Sequence, residues 1–358
     1  MTLFSAKDFS DHEQVVFAHD ADTGLKAIIA IHSTRRGPAM GGCRMWAYAS
    51  EAEAVTDVLR LSKGMTYKAA LADLPLGGGK SVIIGDSRKD KTPALMKAMG
   101  VAVERLNGRY VVAEDVGTST ADMTFIRETT RHAVGLAPDT GGSGDPSPAT
   151  AWGVFLGLKQ AVKHQLKTDT LKGLRVAVQG LGNVGQHLCR HLHEAGAGLI
   201  VADIRPDSVS RMVELFGAEM AAPEDIHAAA AEVYAPCALG ATLNDRSIPQ
   251  LQCKIVAGCA NNKLAEAKHG QSLLERGILY CPDYVINAGG LINVGHEYIH
   301  GSGKYDPARA YAHIARIPET LQVIFDMSGK DSLPTSLAAD RLAGEKLYPP
   351  QQPGSQAA

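Results

Sequence analysis

Residues 174–203 read LRVAVQGLGNVGQHLCRHLHEAGAGLIVAD, and the order of residue types in this stretch decides the fold class. An apolar run over Arg175–Gln179 leads directly into Gly180, Gly182 and Gly185, spaced G-x-G-x-x-G, with Asn183 and Val184 inside the pattern. A helix over Val184–Ala195 and a second strand over Gly198–Asp203 follow, with the acid Asp203 at the strand end. Strand, glycines, helix, strand and acid in this register read as a dinucleotide-binding unit. Gly180 permits a tight turn, Gly182 lets backbone approach a pyrophosphate, and Gly185 allows close helix–strand packing. The helix N-terminus favours the anion. Asp203 would accept hydrogen bonds from the adenosine ribose and repel a 2′-phosphate, which points to NAD as cofactor. Arg205, two residues on, is placed to receive such a phosphate and works against that preference. The competing reading is a glycine-rich turn followed by an ordinary surface aspartate.

Downstream, a helix around Ser208–Phe216 and short strands at Val233–Ala235, Ile255–Ala257 and Ile278–Tyr280 continue the alternation. Alternating strands and helices imply a parallel, doubly wound sheet. Helical stretches near Pro307–Met327 and Pro334–Leu347 close the chain. Upstream, DTGGSGDPSP (Asp139–Pro148) is rich in glycine, proline and serine and reads as a hinge. Before it, Val15–Ala18, Lys26–His32, Ser81–Ile84 and Tyr110–Ala113 read as strands. Ser50 to Glu53 matches a capping box opening an amphipathic helix with Gly64 as its stop, and Pro93–Leu106 reads as a second helix. The 358 residues suit two α/β domains. The expected partition is a first domain over 1–140, a Rossmann-type domain over 141–330, a helix about 331–347 packing back on the first, and a disordered tail over 348–358.

Composition excludes other classes. A net charge of -2 gives no reason to expect a nucleic-acid or anionic-membrane partner, and 5% aromatic residues leave few stacking platforms. No apolar run reaches the roughly 18 residues a membrane span needs, and the N-terminus is not a signal peptide. Cys43, Cys189, Cys237, Cys253, Cys259 and Cys281 form no C-x-x-C pair and no zinc-finger spacing, so they read as reduced thiols of a cytoplasmic protein without a metal site.

The first half carries unusual glycine and lysine placements: GPAMGGCR (37–44), GMTYKAA (64–70) and LGGGKSVI (76–83). Gly77, Gly78 and Gly79 precede Lys80 at a strand start, where they would let backbone approach a ligand and present N–H groups to an anion such as a carboxylate. Lys68 follows the amphipathic helix. For either lysine the competing reading is a solvated surface charge, which the glycine loop weakens only for Lys80. Asp115 ends a strand in AEDVGTS, where ligands of open α/β sheets bind, and it reads equally as the N-cap of a helix beginning near Thr120.

Seven collinear segments carry a resemblance from about Gly24 to Leu342: GPAMGGCRMW, LSKGMTYKAALADLPLGGGKSVIIGD, AEDVGTSTADM, GDPSPATAWGVF, VQGLGNVG, AGCANNKL and LYCPDYVINAGGLINV. Together they resemble the amino-acid dehydrogenase family of glutamate, leucine, phenylalanine, valine and tryptophan dehydrogenases, in its leucine dehydrogenase branch. The resemblance implies NAD-dependent oxidative deamination of an L-amino acid to its 2-oxo acid and ammonia, and the reverse. It implies that Lys68 binds the substrate α-carboxylate, that Lys80 is the catalytic lysine with Asp115 as its acid/base partner, and that Gly41 and Gly42 line the substrate site. It places Ser147, Thr150, Ala238, Asn262 and the Asn287–Gly290 loop against cofactor or substrate. Cys259 stands where many relatives have serine. In this chemistry water attacks an iminium, and burial plus a neighbouring lysine would tune Lys80 towards roughly 7–8, where it can deprotonate that water.

Glutamate-specific relatives place a lysine where this chain has Met40. The pocket positions Met40, Ala113, Leu291 and Val294 are all apolar here, so a substrate carboxylate would go unpaired and leucine, valine or isoleucine fits better. Phenylalanine or tryptophan is the alternative, since Met and Leu repack. From other classes, the alternatives are a two-domain 2-hydroxy-acid or methylene-folate dehydrogenase and a catalytically silent NAD-binding sensor. The resemblance also implies a homo-oligomer, octamer or dimer, and domain closure at Gly141–Pro148 is expected to expel water.

Overall fold

The computed structural model describes residues 3–6, 8–238, 240–301 and 304–349. Two compact units emerge. The first takes in Met1–Pro146, Leu291–Ala310 and the chain from Ala343 onward; the second takes in Ser147–Gly290 and Tyr311–Leu342. This differs from the contiguous partition expected. The break falls at Pro146/Ser147, inside the glycine- and proline-rich stretch, but Leu291–Ala310 joins the first unit. Of the last helix only its end does so. The proposed tail lies outside the described residues from 350 onward.

In the first unit β1 (Gln14–Asp20), β2 (Leu25–Ser33), β3 (Ala39–Trp46), α1 (Glu51–Leu71), β4 (Gly77–Ile84), α2 (Pro93–Glu104), β5 (Tyr110–Glu114) and α3 (Thr120–Arg127) follow in order. The sheet order is β1-β2-β4-β3-β5, with β3 parallel to both β4 and β5 and the β1–β2 and β2–β4 pairs antiparallel. One sheet face, through Ile28, Ala30 and Val82, packs with Val58 and Leu59 of α1. The other, through Ile29, Ile31, Met45 and Val112, packs with Met96 and Met99 of α2 and Ile126 of α3.

Three expectations are corrected here. First, α1 does not stop at Gly64 but runs to Leu71, so Lys68 lies in its last turn. A mid-helix glycine costs only about 1 kcal/mol relative to alanine, and the buried stripe continues through Thr66, Ala69 and Ala70. The Ser50 half of the capping box forms, with Glu53 N–H donating to Ser50 Oγ (3.2 Å), while the Glu53 carboxylate accepts from Ala49 N–H (2.8 Å), one residue before the cap. Second, residues 39–46, starting inside GPAMGGCR and left without an assigned element in the sequence reading, form the central strand β3. Its glycines oppose strand propensity, but a Cβ on Gly41 would stand 1.8 Å from the Gly79 carbonyl oxygen. Third, Gly77–Gly79 are ladder residues of β4, not an anion-holding loop. A Cβ at Gly78 would stand 2.0 Å from Thr66 N of α1, and one at Gly79 2.8 Å from the Tyr110 ring. These glycines bring helix and ring onto the sheet.

The second unit contains α4 (Ser147–Leu166), β6 (Arg175–Gln179), α5 (Asn183–Glu194), β7 (Gly198–Ala202), α6 (Pro206–Phe216), β8 (Glu219–Met220), β9 (Val233–Pro236), β10 (Ile255–Val256), α7 (Lys268–Glu275), β11 (Leu279–Tyr280) and α8 (Asp283–Ile286). Beyond α9 (Gly289–His300) and α10 (Pro307–Ile314), which leave and re-enter it, come α11 (Ile317–Asp331) and α12 (Thr335–Leu347). All six strands are parallel in the order β11-β10-β9-β6-β7-β8. This is the doubly wound dinucleotide-binding order, and its direction reverses between β6 and β9, where ligands of such sheets bind.

Candidate active site

Strand register builds the first cluster. Lys80 on β4 and Asp115, just past β5, flank Gly42 on β3, and the missing side chain of Gly42 leaves room for both. A Cβ there would stand 2.6 Å from Asp115 Cβ and 3.1 Å from Lys80 Nζ. Lys80 is 5% exposed, and its Nζ lies 3.1 Å from Asp115 Oδ2. Asp115 is not a helix cap. That task falls to Ser119, whose hydroxyl accepts from Asp122 N–H. The Asp115 carboxylate turns instead to Lys80 and to Arg44 Nε at 2.9 Å.

Arg44 is a site residue that the sequence reading passed over, although it lies inside GPAMGGCR, two positions from Gly42 and on the same strand face. Its Nη1 reaches Asp57 Oδ2 of α1 at 2.8 Å, and Tyr48 Oη donates to the same oxygen at 2.8 Å. Burial lowers Lys80 from its ordinary value; Asp115 opposes that shift and Arg44 adds to it. Burial works to raise Asp115, but Lys80 and Arg44 outweigh it and hold the carboxyl below its usual range. A positive charge that depresses Lys80 is thus the Arg44 guanidinium, a neighbour the sequence reading did not name. Lys68 is half-buried at the end of α1. Met40, Ala113, Leu291 and Val294 are all buried and all belong to this first unit.

In the second unit the glycine loop takes the form the sequence implied. Gly180 has φ +94°, and a Cβ on it would meet Ala238 N at 2.6 Å. Among the described residues no atom lies within 4 Å of a Cβ built on Gly182, and no side chain caps α5. A Cβ on Gly185 would stand 2.1 Å from Gly180 O, which is the close packing its motif position requires. Asn183 and Val184 open α5. Asp203, just past β7, accepts from Leu181 N–H at 2.6 Å and from Arg205 N–H at 2.8 Å, so it braces the loop. Burial would raise Asp203, but these donors hold it low. Arg205 itself donates to Asp203 and to the Leu181 carbonyl.

Ser147 and Thr150 lie in the first turn of α4. Asn262 takes a left-handed conformation at φ +52°. Asn287, at the end of α8 and 5% exposed, donates from Nδ2 to Cys259 O (2.9 Å) and Asn261 Oδ1 (2.7 Å). Its Oδ1 has no hydrogen-bond partner among the described residues. A buried, orphaned amide oxygen calls for an external donor. With the open turn at Gly182 and the bare helix end, it fits a dinucleotide bearing a carboxamide.

One trio of potential metal ligands, Asp245, Glu266 and His269, clusters elsewhere in this unit. Lys268 Nζ lies 2.9 Å from Asp245 and 3.6 Å from Glu266, supplying the cation itself. His269 Nδ1 accepts from Glu266 N–H, leaving its proton on Nε2 against Asp245.

Comparison with known proteins bears on both units. The family described as Glu/Leu/Phe/Val dehydrogenase, dimerisation domain, matches residues 12–132, and Glutamate/Leucine/Phenylalanine/Valine dehydrogenase matches 141–205 and 202–321. The chain is 53% identical to leucine dehydrogenase of Geobacillus stearothermophilus over 347 residues, 97% of this chain and 94% of that one. It is 47% identical to L-tryptophan dehydrogenase of Nostoc punctiforme, covering 97% and 96% of the two chains. The crystal structure of L-tryptophan dehydrogenase from Nostoc punctiforme superposes with a TM-score of 0.79, covering 94% of this chain and 96% of that one, at 46% identity.

Proposed function

The chain belongs to the glutamate/leucine/phenylalanine/valine dehydrogenase family, and from that premise we propose that it interconverts a branched-chain L-amino acid with its 2-oxo acid and ammonia, using NAD. The observation that carries the reading is Lys80, buried against Asp115 beneath Gly42 with its ammonium form disfavoured. Gly180, Gly182, Asn183, Val184, Gly185, Asp203, Ala238 and Asn262 hold the dinucleotide, with Ser147, Thr150 and Asn287 near its reactive end. NAD, when bound, supplies the redox chemistry at the amino acid Cα.

The chain's own residues manage charge and protons. Lys68 pairs with the substrate carboxylate, and Gly41 and Gly42 leave space for it over β3. Neutral Lys80 takes a proton from the water that attacks the iminium carbon. The 3.1 Å contact to Asp115 carries the proton on towards the departing amine. Met40, Ala113, Leu291 and Val294 surround an aliphatic side chain without offering a cation, which disfavours glutamate. One methylene in such a pocket discriminates by only about 1–3 kcal/mol, so activity overlaps among leucine, valine and isoleucine.

Among the described residues no helix is long and apolar enough to cross a membrane. Six free thiols suit the reducing cytoplasm. The match to a dimerisation domain supports a homo-oligomer, dimer or octamer, which light scattering on the eluting protein resolves.

The decisive experiment follows NADH absorbance with a panel of L-amino acids, then with 2-oxo acids in the presence and absence of ammonia. Branched aliphatic substrates react fastest, and NADH oxidation requires ammonia. Ammonia-independent oxidation would mean a hydroxy-acid enzyme, and silence with every amino acid a sensor.

A further inference from the structure

Cys237 and Cys259 are the half-buried cysteines of the chain; the other four are buried. Their sequence contexts give no hint of a relation, but the sheet brings them together. β9 and β10 pair in parallel with Val233 opposite Ile255 and Tyr234 opposite Val256. Past the named ends Gly258 still lies against Pro236, a built Cβ standing 2.2 Å from its carbonyl oxygen, which leaves Cys237 and Cys259 beside each other one residue on; the chain bends at Cys259, so the next bond shifts by one residue, to Ala260 N–H donating to Pro236 O at 3.0 Å. Adjacent strands lie about 4.8 Å apart, within the roughly 4.4–6.8 Å Cα spacing a disulfide spans. Cys259 Sγ already donates to Cys237 O at 3.9 Å.

We propose that Cys237 and Cys259 are a modification site: a dithiol at the switch-point edge of the sheet that a peroxide closes to a disulfide, weakening dinucleotide binding. The adjacent Cys259 thiol holds the Cys237 thiol below its ordinary range, with the charge of buried Lys263 assisting, while Cys259 is pushed up. Cys237 is thus the attacking sulfur. It forms an S–O bond as the peroxide O–O bond breaks, and one water leaves. Cys259 sulfur then attacks the Cys237 sulfenic sulfur; the S–S bond forms, the S–O bond breaks and a second water leaves with the remaining thiol proton. Two thiols are oxidised and one peroxide is reduced to two waters.

The consequence for ligand binding rests on reading the glycine loop as the dinucleotide site. Gly180 turns directly against the Cys237–Ala238 peptide, with a built Cβ 2.8 Å from Cys237 C and 2.6 Å from Ala238 N. Cys259 O is the acceptor that orients Asn287. Drawing the two sulfurs together moves the supports of both.

The full-length protein, reduced and desalted, is exposed to hydrogen peroxide, alkylated and digested for mass spectrometry, and NADH binding is titrated by fluorescence in parallel. A Cys237–Cys259 linked peptide is expected, with an NADH Kd weakened by about tenfold or more and restored by dithiothreitol. Cys259→Ala, with unchanged NADH affinity when reduced, keeps that affinity after the same treatment. Cys237 oxidised without a link to Cys259, or linked protein binding NADH as tightly as reduced protein, overturns the proposal. Reduced wild type that fails to bind NADH refutes the dinucleotide reading instead, and the linked peptide still decides the dithiol.

Discussion

At the scale of single residues, the chemistry depends on how firmly Lys80 holds its proton. Its nitrogen is buried, the Asp115 carboxylate and, more weakly, Asp57 stabilise its charge, and the Arg44 guanidinium opposes it. The expected pH dependence follows from the lowered value: kcat/KM rises with pH along a limb placed below the ordinary lysine range, as the amine becomes neutral. Lys80→Ala removes that limb and lowers turnover by about 10³-fold, while NADH binding measured by fluorescence survives. Equal activity in mutant and wild type would reject the role. Arg44 acts through its neighbours, repelling the Lys80 proton and sharing Asp115. Arg44→Gln therefore raises the Lys80 value on both counts and shifts the limb to higher pH. A purely structural arginine would lower activity without moving the limb.

At the scale of elements, two glycines with the same sequence appearance do opposite work. Gly78 is where α1 touches β4, and a methyl group there would collide with the Thr66 backbone. Gly78→Ala is expected to cost about 1–3 kcal/mol or more, read as a drop in melting temperature. Gly64 lies mid-helix with nothing within 4 Å of a built Cβ. Gly64→Ala should therefore stabilise by about 0.5–1 kcal/mol. Local signals describe α1 at its start, where Ser50 caps it. They fail at its end, because burial against β4 carries the helix through a residue that propensity alone reads as a stop. The same override hides β3, whose paired glycines are tolerated because neighbouring backbones occupy the space.

At the scale of the molecule, the first unit is assembled from three separated stretches of chain. Glu297, 3% exposed on α9, joins two of them. Its carboxylate accepts from Gly135 N–H (3.0 Å), Ser143 N–H (2.7 Å) and Ser143 Oγ (2.6 Å). Glu297→Ala orphans these donors at about 1–3 kcal/mol each where buried. The chain's two tryptophans, Trp46 and Trp152, fall one in each unit. In single-tryptophan variants, Glu297→Ala should lower the denaturation midpoint reported by Trp46. An unchanged Trp46 midpoint would show that the carboxylate does not hold the unit together.

The dinucleotide unit was determined by sequence alone, because each of its requirements is local: a turn at Gly180, an open approach at Gly182, packing at Gly185 and an acid ending the next strand all fall within 30 consecutive residues. Lys80 and Asp115 were legible as residues, through family likeness, but Asp115 stood evenly between cap and catalyst. Only the tertiary structure removed the cap reading, by giving that task to Ser119, and it set β3 with its bare Gly42 between Lys80 and Asp115 and brought Arg44 and Asp57 into the same charge network. The partnering of Cys237 with Cys259 likewise required the sheet. Pairings between distant segments are fixed by strand register and burial, and these depend on the whole core at once rather than on any window of the chain.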